Sequence, residues 1–66
     1  MIIRKRFGQE DHCYFISQFK DYITVSDWMN TNGVEYRYLV GGQSGWAFKV
    51  VSNEDWFILR WGNEIT

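Results

Sequence analysis

The sequence predicts a small α+β domain, an antiparallel sheet carrying two short helices on one face. Three observations predict it. Residues 34–40 and 46–51 alternate on either side of a glycine-rich interruption, the pattern of a β-hairpin. Thr24-Val25-Ser26-Asp27-Trp28 is echoed by Ser52-Asn53-Glu54-Asp55-Trp56. Each run sets a hydroxyl three positions before an acid, close to a capping box that starts a helix. Each is then closed by a glycine, Gly33 or Gly62, and glycine suits a helix C-terminus. With 66 residues, the chain makes one domain, 1–66, near the lower limit for folding alone.

The elements follow in order. Ile2-Ile3-Arg4-Lys5-Arg6-Phe7 reads as an N-terminal strand or arm, and Gly8-Gln9-Glu10-Asp11 as a turn. Residues 12–19 admit two readings. Cys13, Phe15, Ser17 and Phe19 alternate with Tyr14, Ile16 and Gln18, as in a strand covered on both faces. Phe15, Ile16, Phe19, Tyr22 and Ile23 also share one helical stripe. The aromatic content and the later cap signal at Thr24 favour the strand. Residues 25–32 form the first predicted helix, which buries Val25, Trp28 and Met29 and ends at Gly33 in a left-handed conformation.

In the hairpin, Val34, Tyr36, Tyr38, Val40, Trp46, Phe48 and Val50 share one face. Glu35, Arg37, Leu39, Ala47, Lys49 and Val51 share the other, and a one-residue slip would break the sorting. Gly41-Gly42-Gln43-Ser44-Gly45 is the loop between the strands. Residues 53–61 form the second predicted helix, with Glu54 and Asp55 in its first turn and Arg60 in its last, as the helix dipole prefers. The strand formers Trp56-Phe57-Ile58-Leu59 give the competing reading, a strand. The order strand, helix, strand, strand, helix, with an extra N-terminal strand or arm, is a ferredoxin-like βαββα arrangement lacking its last strand. Tyr36, Tyr38, Trp46 and Phe48 then lie under Trp28, Met29, Phe57 and Trp61, and the tryptophans of both echoed boxes, Trp28 and Trp56, are assigned to the core.

Composition narrows the function classes. Seven basic and eight acidic residues give a net charge of −1. That balance argues against a general electrostatic nucleic-acid binder and equally against an acidic DNA mimic. A single cysteine excludes an internal disulfide and suits a reducing cytoplasm. No apolar run approaches the ~20 residues of a membrane span. Met1-Ile2-Ile3-Arg4-Lys5-Arg6 lacks the long apolar stretch of a signal peptide. The 13 aromatics (four Trp, four Tyr, five Phe) are needed for the core of so short a chain. An aromatic left exposed would therefore mark a binding or self-association face.

No catalytic set is legible, and the expectation is a non-enzyme without metal or cofactor. Asp11-His12-Cys13 is the closest approach to one. Strand neighbours point to opposite faces, so it reads as a turn acid, a surface imidazole and a small buried thiol. Two residues of the Cys/His type cannot complete a structural zinc site. The glycine loop lacks the ending of a P-loop and precedes a strand. Arg4-Lys5-Arg6 reads as a charged, solvated edge, with phosphate or acidic-partner contact as the alternative. Glu54 and Asp55 read as helix-start acids rather than a catalytic pair.

Gly45-Trp46-Ala47-Phe48 resembles the Gly-aromatic-small-aromatic core of the RNP1 motif of RNA-recognition domains. That resemblance implies base stacking on Trp46 and Phe48. Ser44 and Lys49 depart from the motif, and a core role for both aromatics is favoured. Trp46-Ala47-Phe48-Lys49-Val50, followed by Asn53-Glu54-Asp55-Trp56-Phe57-Ile58-Leu59-Arg60-Trp61-Gly62, is similar to the ends of small proteins of tailed phages. Asp27-Trp28-Met29 before Asn32-Gly33 shares that look. This likeness implies phage origin, hence a host-cytoplasmic site of action.

The leading expectation is a small phage-encoded binding protein acting by contact with a host or phage protein, including inhibition of a host enzyme or defence protein. Its candidate binding residues are Tyr36, Arg37, Tyr38, Trp46, Phe48 and Lys49, since Trp, Tyr and Arg dominate such sites. One alternative is a single-stranded nucleic-acid-binding module using Arg4, Lys5, Arg6, Trp46 and Phe48. The other is a structural homo-oligomer that pairs through an open sheet face or an edge strand.

Overall fold

The computed structural model describes residues 3–5, 12–42 and 44–66. Six main elements follow in order: β1 (Ile3–Lys5), β2 (Cys13–Ile16), α1 (Phe19–Thr31), β3 (Glu35–Gly42), β4 (Gly45–Ser52) and α2 (Glu54–Trp61). A short 3-10 turn, Gly62–Glu64, follows α2. The strands form one antiparallel sheet in the order β1-β2-β4-β3. The α+β class and the βαββα order are as the sequence predicts. β1 lies beside β2, at the edge a closing strand after α2 would take. The residues after α2 return to that edge, where Ile65 bridges in parallel to Ile3. Thr66 N–H donates to the Ile3 carbonyl at 2.9 Å and Lys5 N–H to the Thr66 carbonyl at 3.3 Å. The predicted turn at 8–11, with Ile2, Arg6, Phe7 and Gln43, lies outside the described residues.

Residues 12–19 resolve in favour of the strand over Cys13–Ile16. The helical stripe then takes over six positions earlier than predicted, at Phe19 rather than Val25. Gln18 is the N-cap, with no side-chain capping bond, and Asp21 supplies the first-turn acid. Thr24, read as a cap, lies inside the helix. Its Oγ1 donates to the Lys20 carbonyl at 3.1 Å, the back-bonding open to a hydroxyl within a helix. The C-terminus is as expected. Gly33 has φ 72°, Asn32 N–H donates to the Trp28 carbonyl and Val34 N–H to the Met29 carbonyl. These bonds and the left-handed glycine are those of a Schellman-type ending.

α2 is a helix, and the strand reading of residues 56–59 fails. Its N-cap is Asn53 rather than Ser52, in the left-handed region with φ 60°, where asparagine is among the few tolerated residues. The Asn53 carbonyl accepts from Trp56 N–H at 3.1 Å. Its Nδ2 donates to the Gly33 carbonyl at 2.9 Å, tying the start of α2 to the end of α1. Gly62 is right-handed, with φ −55°, so α2 runs into the 3-10 turn rather than stopping at a left-handed glycine.

Register partners across an antiparallel pair share a face. Tyr36 faces Val50 and Tyr38 faces Phe48, while Tyr14 faces Phe48 from the other side. Ile3, Tyr14, Ile16, Phe48 and Val50 of this face form one core with Val25, Met29, Phe57 and Trp61 of the helices. Phe48 is its hub, with ring centroids of Tyr14, Tyr22, Tyr36 and Phe57 at 5.8, 6.1, 6.2 and 5.9 Å. Trp61 is buried, meets Trp28 edge-on at 6.0 Å and lies under the Arg60 guanidinium at 4.0 Å. The echoed tryptophans, both expected inside, diverge: Trp28 is half-buried and Trp56 is exposed.

The predicted sorting of the hairpin holds from Tyr36 to Tyr38; before Tyr36, a register shift pairs Glu35 with Ser52 and leaves Val51 as an extra residue on β4. A register shift after Tyr38 leaves Leu39 as the extra residue and sets Val40 opposite Ala47 and Gly41 opposite Trp46. A bulge of this kind moves each later side chain to the other face. Val40 therefore leaves the helix side. The loop is shorter than predicted, because Gly42 still pairs with Gly45. Gly45 has φ 138° and a Cβ there would run into the Phe15 ring, so no other residue fits that turn.

Candidate functional site

The aromatics of the hairpin point at the helices, and this decides what each sequence-predicted residue can do. Phe48 is fully buried and offers no face to a base or a partner. Tyr36 is half-buried against it. Tyr38 and Trp46 lie at the open end of the same face. There they meet two residues of α1 that the sequence did not single out as a site: Phe19 stands 5.0 Å from Trp46, and Tyr22 stands 6.2 Å from Trp46 and 6.4 Å from Tyr38. Burial, then the neighbouring Tyr36 and Tyr38, pushes the Tyr22 phenol above its ordinary range.

Arg37, Lys49 and Arg4 lie on the opposite face, whereas Lys5 stands opposite Tyr14 on the helix side. Arg37 pairs in register with Lys49, and Lys49 with Cys13. Arg4 stands opposite Phe15 on the same face. Arg4 and Lys5 are exposed on β1, and Arg6 lies outside the described residues. The six predicted binding residues are thus split between two faces of the sheet, and one of them is in the core. The nucleic-acid set is split the same way.

A polar cluster that sequence reasoning missed joins β2, the residue before it and α2. Glu54 Oε2 accepts from Tyr14 OH at 2.6 Å, and Glu54 Oε1 lies 2.6 Å from His12 Nδ1. Burial first, then the bond to Glu54 and its charge, raises the Tyr14 phenol above its ordinary range. Glu54 was read as a helix-start acid, yet its carboxylate also satisfies a buried tyrosine. His12 is a surface imidazole with φ 70° and Cys13 is buried, as expected, while Asp11 lies outside the described residues. Only the register of β2 brings position 14 under position 54, and nothing in the local sequence signals it.

α2 also carries exposed apolar side chains, among them Trp56, which the sequence reading placed in the core. α2 turns Phe57 and Trp61 to the core. Its opposite side carries Trp56 at 59 %, Leu59 at 79 % and Ile58 at 45 % exposure. Trp56 and Leu59 are three positions apart, hence neighbours on the helix surface. Among the described residues no group of three or more His, Cys, Asp or Glu could hold a metal ion, and no helix is long and apolar enough to cross a membrane. Comparison with family models, with curated proteins and with solved structures finds no match.

Proposed function

We propose that this chain is a small binding protein that acts by protein–protein contact through the outward side of α2. The observation that carries the reading is the exposure of Trp56 and Leu59 on one helical surface. A domain this small needs its large apolar side chains for its core. Leaving a tryptophan and a leucine side by side in water costs solubility and contributes nothing to the fold. Tryptophan is also the side chain most enriched where interface energy concentrates. An amphipathic helix of this kind fits an apolar groove, read through anchors spaced three or four apart.

In this reading the partner is a host or phage protein met in the host cytoplasm, in keeping with the resemblance to small tailed-phage proteins. Inhibition of a host enzyme or defence protein is one outcome of such contact. The alternative of base stacking on Trp46 and Phe48 is not favoured, because Phe48 is enclosed. The test is capture from host lysate with the wild-type chain and with Trp56→Ala and Leu59→Asp, both on the solvent side. A partner recovered by the wild type and lost with both variants supports the reading. No partner with the wild type, or the same partner with all three chains, overturns it.

A further inference from the structure

We propose that two copies of this chain pair edge to edge through β3, antiparallel and centred on Tyr36. The two edges of the sheet differ. The outer edge of β1 is covered by Ile65 and Thr66. β3, at the other edge, has one strand neighbour among the described residues, β4. Its exposed residues include Tyr38, Leu39 and Val40, and an edge of that composition is a template for a further strand.

The hydrogen-bond pattern says which groups point outward. Val50 N–H donates to the His12 carbonyl at 2.9 Å, on the β2 side of β4. Val50 and its β3 partner Tyr36 are therefore a pair that exchanges no bonds. The Tyr36 N–H and C=O face away from β4, into the open edge, and those of Tyr38 follow two residues on. A two-fold axis at Tyr36 lets the two Tyr36 residues exchange both of their backbone bonds.

Charge selects that axis. Centred on Tyr36, Arg37 of each copy stands opposite Glu35 of the other, in a non-hydrogen-bonded pair where side chains are closest. Centred on Arg37, the two arginines would face each other, an arrangement that is destabilising. Within its own sheet Arg37 stands opposite Lys49, so a carboxylate from the second copy is the more favourable neighbour. Tyr38 then stands opposite Val34 of the other copy, whose N–H already donates to its own Met29 carbonyl, and the bulge at Leu39 follows, so the pairing is confined to the residues around Tyr36. With one open edge per copy the contact closes on itself as a dimer and does not propagate. So short a strand pair lies below the area of standard interfaces, so the dimer is weak and concentration-dependent.

The test is sedimentation equilibrium of the full chain from about 10 μM to 1 mM, with Glu35→Arg, Arg37→Glu and the double charge exchange. Each single variant sets like charges opposite one another twice, and raises the dimer dissociation constant by about tenfold or more. The exchange variant restores it. Arg37→Glu also places an acid opposite Lys49 in its own chain, so the fold is retained, as urea unfolding will check. A wild-type chain that stays monomeric at 1 mM overturns the proposal. So do single variants that dimerise as the wild type does, or an exchange variant that fails to recover. Leu59→Asp leaves this dimer unchanged, which separates it from the contact proposed for α2.

Discussion

Replacing Glu54 by alanine tests whether one exposed-looking acid supports a buried tyrosine. Tyr14 is 1 % exposed, and its hydroxyl lies 2.6 Å from the Glu54 carboxylate. In Glu54→Ala that hydroxyl loses its protein partner inside the fold, which costs about 1–3 kcal/mol. The first-turn charge of α2 goes too, at about 0.3–1 kcal/mol. The His12 contact adds at most about 1 kcal/mol, because the imidazole is half in water. Together these give an expected loss of about 1.3–5 kcal/mol, centred on ~3 kcal/mol.

Tyr14→Phe removes the hydroxyl and leaves Glu54, which is 27 % exposed, free to take up water. It should cost about 1–2 kcal/mol. The double variant has no buried hydroxyl to strand, so it falls short of additivity by about 1–2 kcal/mol. Asp55→Ala isolates the helix-start effect, since Asp55 shares the first turn and is exposed. It should cost about 0.3–1 kcal/mol. Urea unfolding followed by tryptophan fluorescence, to which the buried Trp61 contributes, supplies all four values. Additivity within about 0.5 kcal/mol, or equal losses for Glu54→Ala and Asp55→Ala, would refute the bond.

Further consequences are open to the same assay. Phe48→Ala, at the hub of the ring contacts, should cost about 3–5 kcal/mol and leave the chain largely unfolded at 25 °C; a loss below ~2 kcal/mol would contradict its central role. Gly33→Ala forces a side chain into the left-handed region at φ 72° and should cost about 1–2 kcal/mol, read as a lower urea midpoint at unchanged slope. Tyr14 and Tyr22 have folded pKa values raised above the ordinary 10.0. The unfolded chain therefore releases those protons first. Stability is fully present below about pH 10 and falls above it, by up to about 1.4 kcal/mol per pH unit for Tyr14, with Tyr22 acting in the same direction. Tyr14→Phe should make that fall shallower, and an unchanged slope would count against the burial of Tyr14.

The parts of the fold legible in the sequence are those set by local rules. Alternation through Tyr36, Tyr38, Trp46, Phe48 and Val50 located both hairpin strands, because a half-buried strand writes its faces into a period of two. Gly33 was legible because a left-handed helix ending needs a residue without Cβ. The start of α1 was not. Ile23-Thr24-Val25 is a β-branched run whose hydroxyl can cap a helix or back-bond within one, and packing of Tyr22, Val25 and Met29 on the sheet decides between them. Trp56 was misplaced for a related reason. The two echoed boxes place their tryptophans alike in sequence, but α1 starts earlier than its box and α2 starts at its own. The same spacing therefore puts Trp28 beside the core and Trp56 in water. Tyr14 and Glu54, 40 positions apart, meet only through tertiary register, which no local pattern encodes.

The unequal edges of the sheet give a last prediction. Ile65 and Thr66 cover β1 through a parallel bridge and two backbone bonds. Removing residues 65–66 uncovers the Ile3 carbonyl and the Lys5 N–H, and leaves a chain with two open edges instead of one. A contact through β3 that closes as a dimer can then be continued through β1, and two different edges on one body generate open chains rather than closed pairs. Ile65 also packs on the core, so urea unfolding must first show that the shortened chain is folded at the temperature used. Light scattering at 1 mM should then report species larger than a dimer, growing with concentration. In the background of Arg37→Glu the same deletion should give markedly smaller species, since the β3 contact is already weakened. A folded, shortened chain that remains at the size of the 66-residue chain would mean that Ile65 and Thr66 serve packing alone, and that the edge of β1 is protected by its exposed Arg4 and Lys5 without them.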